Sequence, residues 1–169
     1  MSRDALLSAC FAGDADAATR LLAEDPALAA ARCEGIDSPA LIIAAHRGHL
    51  RIVEALLEAG APVDAREGTS GTTALHWAAE GGHPQVIERL LARGAALAPV
   101  DDWYGLTPLG WATVVDWNPS FRADRPATIE LLLSRGAALD AFSAIALGRV
   151  DVLAALPPAA LAARLGIAG

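Results

Sequence analysis

A chain of 169 residues that is 54% apolar but only 5% aromatic suits one ordinary domain or a short repeat array, with alanines letting helices approach closely rather than filling a large core. Its formal charge is −7 and its cations, all arginine, are scattered, which excludes the clustered positive face that nucleic-acid binding needs. No secretory signal is visible and no apolar run nears bilayer length, so a cytoplasmic protein binding neither nucleic acid nor membrane is expected.

In chain order, two helices are predicted at residues 5–12 and 15–23, followed by a connector containing Cys33. Cys10 falls in the first helix as core filler, and the two cysteines have no metal-type spacing. Leu41, Ile42, Ala44 and Ala45 open a third helix, Ile52, Val53, Leu56 and Leu57 mark a fourth, and Gly48 parts them. Gly60 follows the fourth helix, where a left-handed cap favours glycine.

The same pattern then returns. Leu41, Leu75 and Leu109 are 34 positions apart; Gly48-His49 recurs as Gly82-His83; Gly60-Ala61 recurs as Gly94-Ala95 and, after 42 positions, as Gly136-Ala137. Such register defines a repeat. Thr73 and Thr107 stand where an N-cap is needed, and Pro108 takes the first helical position. Five units are expected, over about 4–34, 35–67, 68–101, 102–139 and 140–169, within a single domain 1–169. Ser8, Ala9 and Gly13 return as Ser143, Ala144 and Gly148 in the last unit.

Thr73-Ala74-Leu75-His76-Trp77-Ala78-Ala79 and Thr107-Pro108-Leu109 resemble the T-P-L-H-x-A signature of the ankyrin-repeat family. Asp102-Trp103-Tyr104-Gly105-Leu106-Thr107-Pro108 is similar to that family's hairpin-to-helix junction. The resemblance implies an all-α ankyrin-repeat solenoid of about five helix–turn–helix repeats with short β-hairpin fingers. It also implies a groove, formed by fingers and first helices, that grips a partner protein. His76 is implied to bond backbone in the neighbouring turn, and His49 and His83 to be the histidines of the Gly-His turn.

The departures from the pattern bear on function. Residues 114–124, with Trp117 and Phe121, are inserted where a short turn is usual, and insertions in repeat arrays often map to the binding face. No finger fits between Leu139 and Asp140. After Pro157-Pro158, residues 159–165 are expected to form a lid whose Leu161 and Leu165 cover the last unit; left exposed, they would invite homodimerisation.

Finger tips fall at Gly35-Ile36, Thr69-Ser70 and Trp103-Tyr104. Adjacent exposed aromatics suit a binding hot spot, so Trp103 and Tyr104 are the expected anchors, with Ile36, Trp117 and Phe121 adding apolar area. Trp77 and Trp111, at one position of successive first helices, are expected to pack together with partial exposure; an aromatic floor for a ligand is the alternative. His46, Arg47 and Glu80 would give polar selectivity at the rim. Asp64, Glu67, Asp101 and Asp102 would form an acidic surface favouring a basic partner segment.

No phosphate-binding loop or nucleophile elbow is present. Asp101-Asp102 and the pair Asp116 and Asp124 read as turn formers rather than paired catalytic carboxylates. His46 and His49 lack a third ligand for zinc. The expected function is a non-catalytic protein-binding scaffold without cofactor or metal. The alternatives are a small-molecule pocket near the insertion and a self-associating module.

Overall fold

A computed structural model of the chain describes residues 2–113, 125–149 and 151. Among them the elements run α1 (Ser2–Ala12), α2 (Ala15–Glu24), a 3-10 turn (Pro26–Ala30), β1 (Arg32–Cys33), β2 (Ser38–Pro39), α3 (Ala40–His46), α4 (Leu50–Glu58), α5 (Ala74–Glu80), α6 (Pro84–Ala92), α7 (Pro108–Thr113), α8 (Arg125–Ser134) and α9 (Ala141–Ala146). The insertion with Trp117 and Phe121, and the expected lid, lie outside the described residues.

Helices of six to eleven residues are too short to persist alone in water, so stacking must hold them. The odd-numbered helices α1, α3, α5, α7 and α9 pack in one layer, and α2, α4, α6 and α8 in a second beside it. Between the layers lie Leu41, Leu75 and Leu109, each at most 2% exposed, joined by Ile52, Leu56, Ile87, Leu90 and Leu132. Each such side chain contributes about 1.5–3 kcal/mol by leaving water. The 34-residue leucine spacing is therefore the core itself.

The turns explain the Gly-His pairs. Gly48 has φ +72°, and a Cβ there would lie 2.6 Å from the His83 ring, so backbone geometry and space both require glycine. His83 reaches back over that turn and its Nε2–H donates to the carbonyl of His46 at 3.0 Å. His49 packs on Gly13 in the same manner. His76 is fully buried: Nδ1 accepts from the Thr73 amide at 3.1 Å, which leaves Nε2–H to donate to the Leu106 carbonyl at 3.2 Å.

Burial pushes the His49, His76 and His83 imidazoles below the ordinary histidine value. The unfolded chain then binds protons that the folded chain refuses, so this contribution is complete above about pH 6.5 and declines as pH falls through the folded values. Urea midpoints are expected to fall between about pH 7.5 and pH 5. A flat profile across that range would contradict the neutral, buried state of these rings.

Three hairpins project from the helices. Cys33 pairs with Ser38, the Glu67 amide donates to Thr72 O at 2.8 Å, and the Asp101 amide donates to Leu106 O at 3.1 Å. Only the first forms a two-stranded ladder among the described residues; the second is closed by that bond and by the Gly71 amide donating to Glu67 O at 3.0 Å, the third by the Asp101–Leu106 bond, so the expected β-hairpin fingers are mostly tight turns. They are stitched together at the same 34-residue interval. Arg32 donates to the Arg66 carbonyl at 2.7 Å, and Arg66 to the Val100 carbonyl at 3.0 Å. From Leu139 the chain passes directly into α9, whose N-cap is Asp140.

Candidate functional site: an aromatic cleft at the third finger

The third finger is built around one carboxylate. Asp101, 3% exposed, accepts from the amides of Trp103 (2.8 Å), Tyr104 (2.7 Å) and Leu106 (2.8 Å), and from the indole Nε1–H of Trp111 (3.0 Å). Burial pushes its carboxyl up, but these four donors outweigh burial and hold it below the usual carboxylate value. A carboxylate that gathers three consecutive-turn amides fixes the tip backbone. Trp103 and Tyr104 are thereby presented outward, 53% and 51% exposed.

Trp77, on α5, and Trp111, on α7, meet edge to face with ring centroids 5.1 Å apart. Trp111 is buried and Trp77 half-buried, in keeping with packing and partial exposure. The Trp77 Nε1–H donates to Thr72 Oγ1 at 2.7 Å, so both indoles have their polar edges tied down. Tyr104 stands 6.5 Å from Trp111, and Trp103 lies 6.2 Å from Tyr104. With Glu80 these four aromatics line a cleft of about 110 Å³.

Glu80 is not the rim residue expected from its place at the end of α5. It is 5% exposed, with Oε2 3.5 Å from His46 Nε2 and Oε1 3.7 Å from Arg125 Nη2. The helix end points between neighbouring repeats rather than to solvent, which buries the carboxylate at the back of the cleft. His46 is half-buried, its ring 4.6 Å from Trp77. Arg47 is exposed but lies over the Phe11 ring at 5.3 Å, one repeat away from the cleft. Ile36 is 47% exposed on the first finger and lines no part of the cleft. Trp117 and Phe121 fall outside the described residues.

The expected acidic surface loses two of its four members, and Asp64 and Asp102 stay exposed. Glu67 and Asp101 are buried, 7% and 3% exposed; Glu67 accepts from the hydroxyls of Ser70 and Thr69, as Asp101 accepts from its own finger. Asp64 caps the Ala96 amide at 3.0 Å, and Asp102 pairs with Arg66 at 3.0 Å. These carboxylates hold the fingers in shape because an unpaired buried amide costs more than a solvated acid gains. Ser70 is likewise buried, not a solvent-facing tip.

Sequence reading missed three contributors: Asp101 as organiser of the finger, Thr72 as the acceptor that orients Trp77, and Arg125 beside Glu80. Asp101 alone had a signal, its 34-residue alignment with Glu67. The family model described as ankyrin repeats in three copies matches residues 41–143. A search of the curated proteins finds no match. Among the described residues no helix is long and apolar enough to cross a membrane.

Proposed function

Because the chain belongs to the ankyrin-repeat family, whose repeats are generally protein–protein interaction modules and typically non-catalytic, we propose that it is a scaffold holding a partner protein across its fingers and first helices. The exposure of Trp103 and Tyr104 beside the Trp77–Trp111 cleft carries this reading. Large aromatics held by a rigid backbone give contact area at low entropic cost, the usual make-up of an interface anchor. The cleft is well below the ~300–1,000 Å³ of pockets that enclose whole small-molecule ligands, which favours a side chain of a larger partner over a metabolite.

Affinity capture from source-cell lysate with the wild-type chain and a Trp103→Ala/Tyr104→Ala variant tests the proposal. The variant is expected to lose at least ~2 kcal/mol of partner affinity, about thirtyfold. Its own stability is expected to change by about 1 kcal/mol or less, since both rings are half in water. Undiminished capture by the folded variant would remove the cleft from the interface.

A further inference from the structure

We propose that residues 159–165 of this chain dock on the open face of α9, with Leu161 and Leu165 against Phe142 and Ile145. The assignment stands apart from the partner-binding reading. When Gly148 is placed on Gly82, Phe142 falls on His76 and Ile145 on Ala79. His76 and Ala79 are 0% exposed because α7 and the finger before it lie over α5. Phe142 and Ile145 stand 44% and 55% exposed at the same two positions. Three residues apart on one helix, they form a single apolar stripe.

The size of the stripe selects the occupant. Two half-exposed side chains offer far less than the ~800 Å² per partner of a stable protein–protein interface, so one short segment suits the face better than a second copy. Residues 159–165 run Ala-Ala-Leu-Ala-Ala-Arg-Leu, directly after Pro157-Pro158. They number seven, as in α3 and α5, and their two leucines fall four apart, the spacing of one helical face. Ala159 comes eight positions after Asp151, a stretch that reaches ~26–29 Å when extended. The return to α9, which ends at Ala146, is within that reach.

Charge points to the same segment. Across the second layer an acid of one repeat pairs with an arginine of the next: Asp16 with Arg51 at 3.0 Å, Glu54 with Arg89 at 2.5 Å and Glu88 with Arg135 at 3.2 Å. Glu130 repeats Glu88 at the 42-position interval of the fourth unit and is exposed. No arginine pairs with it among the described residues. Arg164, between the two leucines in sequence, is the cation that would extend this ladder by one step.

Two measurements on the full chain test the assignment. In a Cys10→Ala/Cys33→Ser background, Ile145→Cys is combined with Leu161→Cys or Leu165→Cys, and in the control with Glu24→Cys, exposed in the first repeat. After oxidation in dilute solution, mass spectrometry of the unreduced chain is expected to show intramolecular closure in a tail pair about tenfold faster than in the control. Arg164→Glu should slow that closure, and Glu130→Arg added to it should restore the rate. Disulfides formed only between chains would make a second copy the occupant and overturn the assignment, as would closure no faster than the control. The second measurement is hydrogen exchange. In Leu161→Asp/Leu165→Asp, α9 amides are expected to exchange about tenfold faster than in the wild type, with α1 amides unchanged. Equal α9 exchange in the two folded proteins would contradict the contact. Should the aspartate variant fail to fold, the cysteine pairs decide alone.

Discussion

Asp101→Ala is expected to lower folding stability by about 2–4 kcal/mol and to weaken partner binding although every aromatic anchor is still present. The side chain accepts from three backbone amides and one indole, all close to a residue that is 3% exposed. Alanine strands four donors at once. Those on the finger can be rehydrated only if the tip opens, and opening moves Trp103 and Tyr104 away from Trp111. The stability loss is thus limited by loosening, while the binding loss is increased by it. Asn at this position keeps the shape and one carbonyl acceptor, so Asp101→Asn should recover part of both. Chemical denaturation together with capture measures the two effects separately. Wild-type stability in Asp101→Ala would mean that the finger tip is held by something other than this carboxylate.

His76→Ala is expected to be the most damaging single change among the helix residues, at about 3–5 kcal/mol. The imidazole fills fully buried space, and both its nitrogens have partners. Its Nδ1 completes a capping box with Thr73 at the start of α5, where Glu or Gln more usually serves. Its Nε2–H ties that helix to the Leu106 carbonyl of the next finger. Removal therefore leaves a cavity, an uncapped helix start and an unpaired carbonyl. For a domain with a total stability of ~5–15 kcal/mol, such a loss shifts the thermal midpoint by many degrees. His76→Gln can reach back to the Thr73 amide but is not expected to span to Leu106, so it should restore the cap alone. The restored fraction, read from urea midpoints, divides the effect of the cap from that of the inter-repeat bond. It should also flatten part of the acid dependence, because one imidazole that is neutral in the folded chain is gone.

These two residues show why the fold was more legible in the sequence than the site. The repeat interval reports the core directly, since Leu41, Leu75 and Leu109 must each meet the same neighbour in the next repeat. Gly48 and His83 are equally readable, because a left-handed turn and the ring lying over it recur as a pair. Trp77 and Trp111 share one position on successive first helices, so their contact followed from the register. Burial of charge did not follow. Glu80 and Glu67 look like surface acids in one dimension, but Glu80 meets His46 and Arg125 of neighbouring repeats and Glu67 turns into its own finger toward Ser70 and Thr69. Asp101 reads as a turn former, which it is, but its fourth donor is an indole ten residues away. The partnership of Arg125 with Glu80 crosses 45 positions and breaks the 34-residue rule. No local pattern announces it.

Docking at the third finger is tested most directly by photocrosslinking in lysate. A p-benzoylphenylalanine side chain is placed at Tyr104 in one variant and, as the control, at Gln85, exposed on α6 in the other helix layer. A discrete partner adduct at 104, absent at 85 and lost when Trp103→Ala is added, is the expected result. Adducts at 85 with none at 104 would put the partner on the opposite helix layer and contradict binding at the aromatic cleft.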